Sequence, residues 1–309
     1  MANTVTSFYQ TLVAAVTEAC QLLAPTWKAS TSVYVDYKPQ ATTIGQTLNV
    51  PIPNDPTSSV SDIGVGDFTL TDIGFTTQAI VFNKHPGFGY LIRDFEQFNT
   101  PSDIRNVFLD AALKGIKSHV NAQITALFTT GNFTTNTAIA CTAHLVTTAQ
   151  FLSGMAVLAD QKVPVTDTAM MSLILPALPY TAVLGDDDWT QAQIAGEKTA
   201  EAVRDTGQMP TAYGATVKLD QQMPVSGTAP ARTFTGVYMH KWAVAMATRP
   251  LPQPDAKVVE FSYADFAGLP IRIQLGYNQL KAGYVVTLDA GYGLKVVREN
   301  CGQLFTIAE

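Results

Sequence analysis

The sequence predicts an α+β protein built around one long helix and an extended β-hairpin. Three observations carry this. Residues 101–128 place apolar and polar side chains on opposite faces at helical spacing over an unusual length. Residues 40–83 contain no Lys or Arg and break into strand-like pieces between Pro, Gly, Ser and Asn turns. The tail, from "GLPIRIQLGYN" onward, is rich in alternating strands.

The first element is an amphipathic helix over residues 4–23, with Phe8, Leu12, Ala15, Ala19 and Leu23 at helical spacing and Pro25 ending it. An arm with the alternating stretch "TSVYVDYKP" follows. In residues 40–83 the only charges are Asp55, Asp62, Asp67 and Asp72. Strand-like pieces at 46–52, 67–72 and 76–82 predict a hairpin with a polar tip around 53–66. Two strands alone are marginal in water. Such a hairpin needs a surface to lie on, either its own domain or another copy.

The long helix starts sharply. Thr100 is a good N-cap, Pro101 fits the first turn, and Asp103 places a carboxylate near the positive helix end. Leu109, Leu113, Ile116, Val120, Ile124 and Leu127 form its apolar face, widened by Ile104, Val107, Phe108 and Ala111. Asp103, Asn106, Asp110, Lys114, Lys117, Asn121 and Thr125 form its polar face. Over 101–128 the helix would span about 42 Å at the standard rise, longer than the usual globular helix. It reads as a spine.

A Thr- and Asn-rich loop at 129–142 leads to a second helix over 143–160, whose small residues permit close packing on the spine. Residues 161–250 read as a compact mixed subdomain. "TAMMSLILPALPYTAVLGDDDW" gives a buried strand and a short helix near Pro179, and "TQAQIAGEKTAEAV" gives a helix in which Thr190 and Gln193 suit a capping box. "AYGATVKLDQQMPV" reads as a strand, and "ARTFTGVYMHKWAVAMA" as a strand followed by a helix or a second strand. The Pro-rich turn "RPLPQPD" closes the unit. In the tail, residues 283–298 predict a hairpin turning at Ala290, Gly291 and Gly293, with its strands packed on the spine.

Only 14% of residues are charged. Either the protein is a neutral β-rich one, or much of its surface is covered by copies of itself, because interface cores are depleted in Lys, Glu and Asp. The net charge of -6 argues against broad wrapping of nucleic acid, though not against a shell that encloses it. Cys20, Cys141 and Cys301 lie far apart, with neither zinc spacing nor a disulfide framework. The N-terminal stretch lacks a basic lead and carries Glu18 in its apolar part, so no secretory signal is expected. No apolar run is long enough to span a membrane, and no membrane partner is expected.

Motifs for chemistry are missing. There is no Walker pattern, no HExxH and no GxSxG. "GVGDF" at 64–68 lies in the polar hairpin without the strand and helix of a dinucleotide site, and reads as a turn. His85, His119, His144 and His240 show no metal-ligand spacing. Asp186, Asp187 and Asp188 lack the surrounding ligand order of a calcium loop and read as a solvated turn before Trp189. Asp94 and Glu96, beside Arg93, read as ion pairing at a subunit or domain junction. No cofactor and no catalytic set are expected.

The stretch "FNKHPGFGYLIRDFEQFNTPSDIRNVFLDAALKGI" resembles the major capsid proteins of tailed bacteriophages, the Hong Kong 97-like fold. Lys84, His85, Phe88, Asp94 and Glu96 carry the likeness there. A second stretch, "AQFLSGMAVLADQKVPVTDTAMMSLILPALPYTAVLGD", matches at Pro164, Pro176, Tyr180 and Leu184. The closing strands "GLPIRIQLGYN" and "KAGYVVTLDAGYGLKVVREN" are the third. The order of these loose motifs covers almost the whole chain.

The resemblance implies an N-terminal arm at 1–40, an extended loop at 41–83, and a peripheral domain at 84–160 with the spine helix at 101–128. It implies an axial domain at 161–250 and C-terminal peripheral strands at 251–309. It implies a shell of pentamers and hexamers, built in the host cytoplasm, with packaged double-stranded DNA weakly touched, a portal, and a separate scaffolding protein. The candidate assembly or junction residues are Lys84, His85, Arg93, Asp94, Glu96, Asp55 and Asp62. Some family members cross-link through a loop lysine, but no Lys lies between positions 39 and 83, so noncovalent strengthening is expected. The alternatives are an encapsulin-like compartment, a tail tube subunit, or a hydrolase using Asp94, Glu96 or the Asp186 cluster.

Overall fold

The computed structural model describes residues 26–35, 47–53, 62, 66, 74–94, 104–190, 203, 205–209, 211–253, 260–266 and 268–309. The expected helix at 4–23, most of the hairpin tip, the strand-like piece at 67–72, the cap at Thr100–Asp103 and most of the expected helix at 190–203 lie outside the described residues.

Two strands, β1 (Thr47–Pro53) and β2 (Phe75–Val81), form the hairpin, and β3 (Gly87–Arg93) precedes the long helix α1 (Ile104–Thr125). Then come β4 (Ile139–Cys141), α2 (Thr148–Asp160), β5 (Met171–Leu175), α3 (Ala177–Gly185) and the short α4 (Asp187–Thr190). β6 (Thr216–Leu219), β7 (Val225–Ser226), β8 (Thr233–His240) and β9 (Val244–Arg249) follow. The tail supplies β10 (Glu260–Phe266), β11 (Leu269–Asn278), β12 (Gly283–Val296) and β13 (Gly302–Ala308).

Two larger sheets result. One runs β10-β11-β12-β3, all antiparallel, with β9 on the second half of β12. The other runs β4-β13-β8-β5-β6, with β7 on the edge of β8. In it β4 and β13 are parallel, as are β5 and β6. Strands from the 161–250 segment share this sheet with β4 and β13, while β9 of that segment joins the other.

The long helix forms as its periodicity dictates. Ala112, Ile116, Val120 and Ile124 are buried, and α1 lies against β3, β12 and a short 3-10 turn at Ala29–Ser32. Each fully buried aliphatic side chain contributes roughly 1.5–3 kcal/mol. The expected polar face departs from the prediction at Asn121 and Thr125, which are buried. Asn121 faces a buried carboxylate described below, so its polarity is satisfied inside the protein.

α2 is shorter than expected because Thr147 caps it. The Thr147 hydroxyl accepts from the Gln150 amide while the Gln150 side chain accepts from the Thr147 amide, a reciprocal box. Ala143 and His144, expected in this helix, instead have positive φ of 56° and 60°. Phe151 of α2 sits in an aromatic cluster, 5.4 Å from Trp189 and 4.9 Å from Tyr238. The Trp189 indole donates to the Val146 carbonyl at 3.2 Å. All five residues of β5 are buried, which explains its uninterrupted apolar sequence.

The predicted turn at Ala290–Gly293 does not form. β12 runs unbroken for 14 residues. Gly293 serves a close approach instead: a Cβ there would lie 2.5 Å from the Val81 carbonyl oxygen. That approach seats the base of the hairpin. Val50 and Ile80 are buried with Ala245, Ala247 and Val297 of the same chain. The base of the hairpin therefore lies on its own body, while Phe75, at the far end of the described strands, is 65% exposed.

Candidate assembly surfaces

Four of the seven predicted site residues, Lys84, His85, Arg93 and Asp94, fall in two places, at opposite ends of β3. The β3–β12 ladder runs from Gly87 opposite Asp289 to Arg93 opposite Gly283, about 20 Å along a strand.

At the first end, Lys84 exchanges two backbone hydrogen bonds with Tyr292, at 3.1 and 3.0 Å. This fixes the chain as it leaves the hairpin. Next to it, His85 Nε2 lies 3.1 Å from Asp289 Oδ2. Arg272 grips the same carboxylate with two bonds, Nε to Oδ1 at 2.9 Å and a terminal nitrogen to Oδ2 at 2.5 Å. Its other terminal nitrogen donates to the Pro252 carbonyl. Burial opposes ionisation of Asp289, but the hydrogen bonds from Arg272 and His85 outweigh it and hold the carboxyl below the usual range.

A groove of about 540 Å³ opens here, between the hairpin base and residues 249–252. Phe82, Leu251 and Tyr292 form its apolar part, and Lys84, His85 and Arg249 line it with basic groups. Burial pushes the Tyr292 phenol up to about 12.

At the other end of β3, Asp94 is exposed and its Oδ2 accepts from the Tyr277 hydroxyl at 2.6 Å. That hydrogen bond to the carboxylate is the main cause of the raised Tyr277 phenol pKa. The Asp94 amide donates to the Ala282 carbonyl, tying the strand end to the turn at Gln279–Lys281. Leu280 in that turn is 99% exposed. Arg93 is the last residue of β3, opposite Gly283. Asp55 and Glu96 lie outside the described residues, and Asp62 is exposed.

Periodicity and motif reading missed a third constellation. Asp220, fully buried just after β6, accepts from the Lys28 and Ala29 amides at 2.7 and 2.8 Å. It also accepts from the Gln222 amide at 2.8 Å and the Asn121 side chain. Nearby, Lys218 Nζ donates to Ser32 Oγ at 2.8 Å. The only sequence signal was the "KLDQQ" ending, an Asp whose oxygen takes the amide two residues on.

His240 is a fourth case. It is buried, its Nδ1 accepts from the Trp242 amide at 3.2 Å, and burial lowers its pKa, with Arg298 adding to that effect and Asp167 opposing it. Among the described residues, no three His, Cys, Asp or Glu side chains gather where they could hold a metal ion. Nor is any described helix long and apolar enough to cross a membrane.

No protein-family model matches the chain, and no curated protein matches it either. Solved structures do match, over nearly the full length. A chain from Mycobacterium phage Che8 is 14% identical, with a TM-score of 0.65 over 92% of this chain and 93% of that one. A chain from the capsid of the cyanophage P-SCSP1u is 12% identical, with a TM-score of 0.64 over 94% and 92%. One from the mature capsid of bacteriophage PhiM1 is 8% identical, with a TM-score of 0.57 over 93% and 88%. The fold is the Hong Kong 97-like capsid fold. In that Hong Kong 97-like frame, the mixture of helices with strand-rich sheets is the shared architecture.

Proposed function

We propose that this chain is a major capsid protein that self-assembles into the icosahedral head shell enclosing the double-stranded DNA of a tailed phage. What supports the reading is likeness over the whole chain, in both directions, to chains of phage capsids. The low charge content fits a surface that is mostly interface.

In this reading residues 1–40 are the arm, 41–83 the extended loop, 84–160 and 251–309 the peripheral domain with α1 as its spine, and 161–250 the axial domain, with β4 and β13 crossing into the sheet of the axial strands and β9 into the peripheral one. Copies meet as pentamers and hexamers, where each modest contact is repeated by symmetry. A separate scaffolding protein and a portal act in assembly in the host cytoplasm, and the DNA is touched weakly and without sequence preference. The role is structural and not catalytic. Lys84, His85, Arg93 and Asp94 hold strand ends in place and shape contact surfaces.

The test is electron microscopy of the purified protein. Closed isometric shells are expected. Open tubes would overturn the proposal.

A further inference from the structure

We infer that the backbone strap at residues 26–34, with the basic side chains gathered around it, is the face on which this chain meets the phosphates of double-stranded nucleic acid. The inference rests on the shell reading above and names the wall of the subunit that is turned towards the enclosed DNA.

The strap is held along its length. The Gln221 amide donates to the Thr26 carbonyl, and the Thr26 amide donates to the Gln221 side chain, both at 3.2 Å. Lys28 and Ala29 donate to Asp220. At the other end the Tyr34 amide donates to the Val244 carbonyl at 3.0 Å, and the Tyr34 carbonyl accepts from the Met246 amide at 2.9 Å. The strap therefore crosses from the end of β6 to the start of β9.

Cations from four parts of the chain converge on it. Lys28 belongs to the strap and is exposed. Lys218 reaches it from β6, its Nζ donating to Ser32 Oγ at 2.8 Å. Lys241 opens the 3-10 turn at Lys241–Ala243, tied to Met170 by its backbone amide. Arg298 donates its backbone amide to the Ala243 carbonyl and lays its guanidinium over the Trp242 ring, 5.5 Å from the centroid. Tyr34, Trp242 and Arg298 line one recess. Burial and the charges of Lys28 and Lys241 hold the Lys218 ammonium below its usual range. An arriving anion relieves like-charge crowding of this kind.

The carboxylates beside these residues are engaged. Asp220 is buried among its amide donors. Glu299, next to Arg298, accepts from the Thr134 hydroxyl at 2.6 Å, and Asp167 accepts from the Ala169 amide at 3.1 Å. The sequence flanking the strap, 1–25 and 36–46, carries Glu18, Asp36 and Lys38 as its charged side chains, a net of one negative charge.

The chemistry favours phosphate. Phosphates are contacted by Lys and Arg together with Ser and Thr hydroxyls, and the exposed Thr31 stands beside these cations. An acidic peptide binds by filling pockets with its own side chains, and the recess here holds only about 200 Å³. Duplex DNA needs no pocket, because it presents about one negative charge per 1.7 Å of its axis.

The test is a titration of a fluorescent random-sequence duplex with unassembled full-length protein, followed by anisotropy as salt is raised from about 50 to 200 mM. Affinity is expected to fall with salt. The Lys28→Gln, Lys241→Gln double variant should lose about one unit of log–log salt slope for each lysine removed. Both lysines hold the fold through backbone amides, which glutamine keeps, and circular dichroism confirms folding. A Lys84→Gln, Lys281→Gln variant removes the same charge elsewhere and should keep the wild-type slope. No binding at the lowest salt, or equal slopes in the two variants, overturns the inference. Polyglutamate that competes as well as unlabelled duplex reassigns the face to an acidic protein. Inorganic phosphate that displaces the duplex at equal ionic strength reduces it to adventitious anion binding. Both of these also overturn the inference. Shells without duplex binding defeat this inference alone, and duplex binding at this face without shells defeats the shell reading alone.

Discussion

The side-chain nitrogen of Asn121 lies 3.0 and 3.1 Å from the two carboxylate oxygens of Asp220. The two residues belong to the long helix and to the end of β6, and the same carboxylate receives the amides that open the Ala29–Ser32 turn. One buried acid thus joins three parts of the chain. Removing it would leave several donors in the interior without an acceptor. Asp220→Ala is expected to cost about 2–4 kcal/mol in urea unfolding. Trypsin should cut faster after Lys28, whose backbone amide that carboxylate holds. Asp220→Asn, which keeps one acceptor oxygen, should cost less. An Ala variant with wild-type stability and an unchanged cleavage rate would refute this role.

Two glycines should respond in opposite senses. Gly293→Ala places a Cβ against the Val81 carbonyl and must push the hairpin base off β12. A loss of about 1–3 kcal/mol is expected. Gly115, on the exposed side of α1, has nothing within 4 Å of where a Cβ would stand. Gly115→Ala should therefore stabilise by about 0.5–1 kcal/mol through helix propensity alone. Thermal unfolding of the two variants side by side tests both signs.

The Asp289 cluster should set part of the acid limit. Its carboxyl titrates below the ordinary value of 3.8 in the folded protein. A group depressed in this way adds stability above its unfolded pKa, and the protein loses that stability as pH falls through the folded value. Arg272→Met removes the strongest partner. The urea midpoint of the variant should therefore fall less steeply than that of the wild type below pH 3.8. Parallel slopes would show that the pair carries no such linkage.

His240 should give a second, milder acid effect at higher pH. Burial keeps its ring neutral below the ordinary value of 6.5, and its Nδ1 must stay unprotonated to accept the Trp242 amide. Here too the unfolded chain binds the proton more readily, so stability falls as pH drops from 6.5 towards the folded value. His240→Gln should be less stable at neutral pH yet lack that slope. A slope retained in the variant would assign it to another group.

Much of this architecture was legible because burial leaves a period in the sequence. Ile116, Val120 and Ile124 announced the long helix, and the pieces flanking the hairpin tip announced β1 and β2. What escaped were features in which a residue type has two physical uses. Asn121 looked like solvent-facing polarity because its acceptor, Asp220, lies far along the chain. Gly291 and Gly293 looked like a turn because a glycine that permits close approach is indistinguishable locally from one that permits a bend. The alternation of Val286, Leu288, Ala290 and Tyr292, all buried, continues straight through that point and was the available signal for one strand. The Arg272–Asp289 pair was hidden for another reason: the two residues become opposite only once the β11–β12 register is fixed.

β12 holds β11 and β3 along its first half and β9 along its second, with no interruption between. Load applied where the hairpin rests is carried along one covalent backbone to the Tyr277 corner, with no joint on the way. A continuous strand resists a sharp bend at its middle better than two strands meeting at a turn would. In the shell proposed above, copies at flat and at curved positions are then expected to differ more at their seams than along this strand.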